Sequence, residues 1–121
     1  MSSEALDRFG ELLVRKVRNE AIDDWRMIVD GTMCSQRAQR LRDLLSIFDS
    51  EQKERFMELA PEIVDSVLHH LLWMLEQTED VDVGVRLADG RLRSVRDESD
   101  GLSGELYGDH GWIARFSDSQ L

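Results

Sequence analysis

The segment from Pro61 to Gln77, PEIVDSVLHHLLWMLEQ, limits the fold more than any other stretch, because it is the most apolar part of the chain and keeps a helical period. At 100° per residue, Ile63, Val64, Val67, Leu68, Leu71, Met74 and Leu75 fall within one arc of about 140°, with Leu72 just outside it. An arc that wide needs more than one packing partner, so other helices and a sheet are expected around it. Pro61 suits a first helical turn, where its missing N–H costs nothing, and Glu62 complements the positive helix end. The spacing therefore predicts a buried helix that starts at Pro61.

On the opposite side of the wheel lie Glu62, Asp65, Ser66, His69, Trp73 and Glu76. Asp65, His69 and Trp73 make an i, i+4, i+8 stripe pointing away from the predicted core arc. An acid and an imidazole one turn apart can supply two metal positions or an acid–base pair, with Glu62 or Glu76 in reach. The same stripe can equally be solvated polar surface, with Trp73 packed inside the monomer or against another chain. His69 and His70 diverge by about 100°, which keeps them from gripping one ion and puts His70 at the edge of the core.

Upstream, Ser3 to Val29 keeps a helical stripe of Leu6, Phe9, Leu13, Val17, Ala21 and Ile28, widened by Val14 and Trp25. Ser2 or Ser3 is available as an N-cap and Asp30-Gly31-Thr32 as the stop. Gly10 sits on the apolar face, where close approach of a second helix gives it a reason. Arg15, Lys16 and Arg18 are ringed by Glu11, Glu20 and Asp23 and read as solvated intrahelical pairing. Ser35 opens a second helix to about Phe48 with Ala38, Leu41, Leu44, Leu45 and Phe48 inward. A third, Glu51 to Ala60, ends or kinks at Pro61. The short turn between these two helices resembles a helix-turn-helix, but EQKERFMELA is a poor recognition helix on an acidic domain.

After Gln77 the pattern changes. Val81, Val83, Val85 and Leu87 alternate as a half-buried strand, Asp89-Gly90 signals a hairpin, and Arg91 to Val95 returns antiparallel. Asp97 to Gly104 reads as a polar, mobile connection. Glu105 to Gly108 and Gly111 to Phe116 read as a second hairpin around Asp109-His110, with Trp112, Ala114 and Phe116 on one face. The expected fold is thus α+β: one domain, residues 1–121, with three or four helices (1–77) packed on an antiparallel β-meander of up to four strands (78–121).

Charge bears on function. Residues 1–60 carry 12 acids and 10 bases, and residues 61–121 carry 13 acids and 5 bases, so most of the net −10 lies in the second half. That balance disfavours nucleic acid and anionic membrane and permits a basic protein partner. No apolar run is long enough for a membrane span, and the acidic start MSSEALDRFGELL lacks a signal peptide's basic n-region, so a cytoplasmic location is expected. The single cysteine, Cys34, forms no metal or disulfide pattern. No phosphate-cradling glycine loop, nucleophile elbow or zinc motif is present, so no cofactor and no metal site is implied. Ser99, Ser103 and His110 near Asp100 and Asp109 hold the ingredients of a triad, a set that loop composition alone produces often.

The His-His-Leu-Leu-Trp segment at 69–73 and the closing Gly-Trp-Ile-Ala-Arg-Phe segment at 111–116 give a layout that resembles small uncharacterised bacterial single-domain proteins. It is also similar, more loosely, to acidic immunity proteins that neutralise toxins. That resemblance implies an inhibitor presenting an acidic surface to a basic partner. The leading expectation is a non-enzymatic protein–protein interaction module with two acidic contact segments: Glu79, Asp80 and Asp82, and the loop residues Asp97, Glu98 and Asp100. The alternative is a small-molecule or metal-binding domain using Asp65, His69 and Trp73. A homo-oligomer with Trp73 in its interface is a third.

Overall fold

The computed structural model describes residues 3–117. The chain opens with one long helical rod in three parts: α1 (Glu4–Leu12), a π-helical segment (Leu13–Arg18) and α2 (Asn19–Asp30). Ser3 caps the start, its Oγ accepting from the Leu6 N–H at 3.3 Å. The rod stops at Gly31, whose φ of 82° lies in the left-handed region that favours glycine. Within the π segment the Asn19 N–H reaches back five residues to the Val14 carbonyl, and the extra residue per turn shifts the helix phase. Val14, Arg18 and Ile22 consequently face inward, whereas Val17 is turned out.

Helix α3 (Gln36–Leu45) is capped by Ser35, which accepts from the Ala38 N–H at 3.1 Å. Ala38 is its buried anchor, but Leu44, expected inward, is exposed. Helix α4 (Ser50–Gln77) is a single element of 28 residues, not two helices meeting at Pro61. Its start is fixed at Asp49 by a capping box, the Asp49 carboxylate accepting from the Gln52 N–H and the Gln52 side chain accepting from the Asp49 N–H, both at 2.9 Å. Pro61 stands eleven residues inside that start, so the predicted helix start there is corrected: burial of Met57 and Ala60 before it and of Leu68 and Leu72 after it carries the helix through.

The four-stranded meander does not form. The described residues are mostly helical with one two-stranded antiparallel sheet, so the α+β expectation is corrected. Strands β1 (Gly84–Arg86) and β2 (Leu92–Ser94) pair with Val85 opposite Arg93, around a turn with Gly90 at φ 85°. The expected polar connection is instead α5 (Val95–Glu98) followed by a 3-10 turn (Leu102–Leu106), and the expected second hairpin is replaced by α6 (Trp112–Phe116). Leu102 and Leu106 are one helical turn apart and fully buried, and Trp112, Ile113 and Phe116 form an i, i+1, i+4 face on the core. A short apolar run fits either period, and packing on α4 and α1 selects the helical one.

The core joins Leu6, Leu13 and Val14 of the first rod to Leu68, Leu72 and Leu75 of α4, closed by Val95, Leu102, Leu106 and Trp112. The inward face of α4 is rotated by roughly 80° from the arc its apolar residues define. Leu72, outside that arc, is 0% exposed, whereas Ile63 and Val67, inside it, are 53% and 64% exposed.

Candidate functional site

The rotation of α4 has a definite cause in its polar face. Arg18, 5% exposed, grips Asp65 with both limbs of its guanidinium: Nε donates to Oδ1 at 2.6 Å and Nη2 to Oδ2 at 3.2 Å. Its remaining Nη1 donates to Ser117 Oγ at 2.9 Å, tying α6's end to the same pair. Farther along, Glu76 Oε1 accepts from the Ser103 N–H at 3.2 Å and from Ser103 Oγ at 3.3 Å, which docks the 3-10 turn. A buried bidentate ion pair is geometrically exacting and holds the helix in one azimuth. Asp65 and Glu76 are therefore turned toward the molecule beside Leu68, Leu72 and Leu75, and one aliphatic flank of α4 is turned away.

The stripe predicted to act together is split among different settings. Asp65 is committed to Arg18. His69 lies edge-on to His70 with ring centroids 5.4 Å apart and 6.1 Å from Tyr107, and its Nδ1 is buried without a hydrogen-bond partner. Trp73 is 49% exposed. His70, expected at the core edge, is exposed instead. Among the described residues no group of three or more His, Cys, Asp and Glu side chains is arranged to hold a metal ion. Tyr107 covers the acid face: burial, and then the charges of Asp65 and Glu62, raise its hydroxyl above the ordinary value of 10.0.

The two acidic segments, by contrast, are brought to one corner. Ser94 Oγ donates to Asp82 at 2.7 Å and accepts from the Asp97 N–H at 3.3 Å, linking the segments through a single hydroxyl. Arg96 reinforces the corner by donating to the carbonyls of Leu75, Thr78 and Val81 at the C-terminal end of α4, and it stands 4.0 Å from Asp82. Such a cation at a helix C-terminus satisfies carbonyls the helix leaves unpaired. Glu79, Asp80, Asp97 and Glu98 remain exposed around it. Glu98 and Asp100 also line a depression of about 350 Å³ beside Asp7, Glu105 and His110. The loop serines of the triad-like set are engaged structurally, Ser103 with Glu76 and Ser99 Oγ donating to Glu105 at 2.8 Å.

The feature that sequence reasoning placed in the core is the outer face of α4. Leu59, Ile63, Val67, Leu71 and Met74 follow one another at intervals of three or four residues and are all exposed, with His70 beside them and Trp73 at the margin. Scattered apolar residues on a surface need no explanation, but a stripe along about four turns of helix does. Its signal was present in the sequence as the wide apolar arc; what the sequence did not reveal was which way the arc faces.

No family model matches the chain, and neither a curated protein nor a solved structure matches it. No helix among the described residues is long and apolar enough to cross a membrane.

Proposed function

We propose that this protein is a non-enzymatic protein–protein interaction module that binds through the outer face of α4. The observation that carries this reading is the rotation of that helix, with Asp65 and Glu76 engaged in internal bonds and Leu59, Ile63, Val67, Leu71 and Met74 left in water. Exposing Leu59, Ile63 and Val67 is costly unless another surface covers them. The acidic corner at the end of the same helix, Glu79, Asp80 and Asp82 with Asp97 and Glu98 behind them, favours a partner whose apolar face ends in basic groups. A basic partner is also what the likeness to immunity proteins implies.

The test is retention of host proteins on the immobilised protein at low and high salt, comparing the parent with Ile63→Asp and with the double reversal Glu79→Lys/Asp80→Lys. The expected result is a specific protein retained by the parent, lost with Ile63→Asp at any salt, and weakened with the charge reversal mainly at low salt. Identical retention by all three proteins would overturn the reading.

A further inference from the structure

We propose that the occupant of the α4 stripe is a second copy of this chain, docked antiparallel across a two-fold axis near Val67; this rests on the interaction-module reading and specifies its partner. Three observations converge. The first is area. Leu59, Ile63, Val67, Leu71, Trp73 and Met74 are 39–64% exposed, which for side chains of this size is on the order of 600 Å² of residue surface. With its polar flanks the face approaches the roughly 800 Å² per partner of a specific interface, and it exceeds most contiguous patches left on monomers.

The second is symmetry. The stripe is nearly palindromic about Val67: Ile63 and Leu71 lie four residues to either side, and Leu59 and Met74 eight and seven. Antiparallel pairing therefore sets Ile63 against the partner's Leu71, Leu59 against the partner's Met74, and Val67 against its own copy, which is the self-complementarity an isologous dimer requires. Their spacing, mostly of four residues, makes an i±4 ridge that can interdigitate with the same ridge of its copy.

The third is charge. Lys53 and Arg55, the Lys and Arg residues of α4, lie in its first two turns, and Glu79 and Asp80 follow its C-terminal end, so the antiparallel arrangement brings the end that carries these bases toward the partner's acidic end. Arg55 is exposed and, among the described residues, pairs with Glu58 one helical turn away on the same surface. A parallel pair would instead set Glu79, Asp80 and Asp82 against their own copies and align the two macrodipoles unfavourably.

Molar mass of the purified protein is to be followed by sedimentation or light scattering from about 1 to 200 µM, a range that brackets micromolar dissociation. The proposal expects mass to rise from one chain to two, and Val67→Asp to stay at one chain throughout while keeping the parent's helical circular dichroism. Arg55→Glu is expected to weaken association severalfold at low salt and Arg55→Glu/Glu79→Arg to restore part of it, because only the antiparallel pair brings the basic end of α4 toward the partner's acidic end. In a Cys34→Ser background, Val67→Cys is expected to oxidise to a disulfide-linked dimer, since the two-fold axis brings that position to its own copy. A parent that stays monomeric across the range, or a dimer unaffected by Val67→Asp, overturns the proposal. The broader reading fails separately: a monomeric parent whose retained host partner is still lost with Ile63→Asp keeps the module and removes only the second copy as its occupant.

Discussion

Asp65 and Arg18 set the azimuth of α4, and the residue that reports on their electrostatics is Tyr107, the only tyrosine in the chain. Its hydroxyl is held above 10.0, first by partial burial and then by the carboxylates of Asp65 and Glu62. The folded state therefore retains this proton more firmly than the unfolded chain does. It follows that Tyr107 adds to stability below pH 10, and that this contribution is lost as pH rises through the folded value. An absorbance titration of the phenolate should give a single transition with a midpoint above 10. In Asp65→Asn the midpoint should fall, because one negative neighbour is gone and the Arg18 guanidinium, no longer paired, favours the phenolate. A midpoint at or below 10 in the parent would mean that Tyr107 does not lie over the acid face. Arg18 itself had been grouped with Arg15 and Lys16 as solvated charge. Arg15 does pair with Glu11 within the helix, while Arg18 is drawn inside by a change of helix phase that no single residue announces.

Among the elements, the first rod shows how a local cost marks a tertiary contact. Gly10 lies on the helix face where the Trp112 ring of α6 packs, and a Cβ built there would meet the ring at 2.4 Å. Helix propensity alone favours alanine by about 1 kcal/mol. Displacing a ring that is 1% exposed and edge-packed on Phe9 at 5.7 Å costs more than that, typically about 1–3 kcal/mol for overpacking. Gly10→Ala should therefore lower the urea midpoint, and Gly10→Ala with Trp112→Phe should recover part of the loss; a higher midpoint for the single variant would deny the contact. The helix starts at Ser3 and Ser35 and the stop at Gly31 were legible because caps act within one turn, whereas Pro61 reads locally as a start that the 28-residue helix overrides. The first hairpin was legible for the same reason, in Asp89-Gly90. Phase and class were less so. The π segment moved Ile22 and Arg18 into the positions assigned to Ala21 and Val17, and Leu102, Leu106 and Trp112 became helical only because α4 and α1 offered them a surface.

At the scale of the whole molecule, the chain divides its aliphatic residues between a core that stabilises the fold and a face that does not, and α4 carries both. Hydrophobic burial acts only where water is removed, so residues of similar chemistry on this helix should differ sharply in their effect. Leu72 is fully enclosed, and Leu72→Ala should cost about 2–5 kcal/mol from lost transfer energy and the cavity left behind. Val67, equally apolar and five residues earlier, is 64% exposed; Val67→Ser should change the stability of the single chain by no more than about 0.5 kcal/mol. Denaturant melts of both variants at low micromolar concentration make the comparison directly. Repeating them at a hundredfold higher concentration adds a second axis: association stabilises only the form that associates, so the parent and Leu72→Ala should gain stability with concentration while Val67→Ser gains less. Equal losses for the two substitutions at low concentration would show that Val67 is buried within the single chain, and the division of α4 into a folding face and a binding face would then fall.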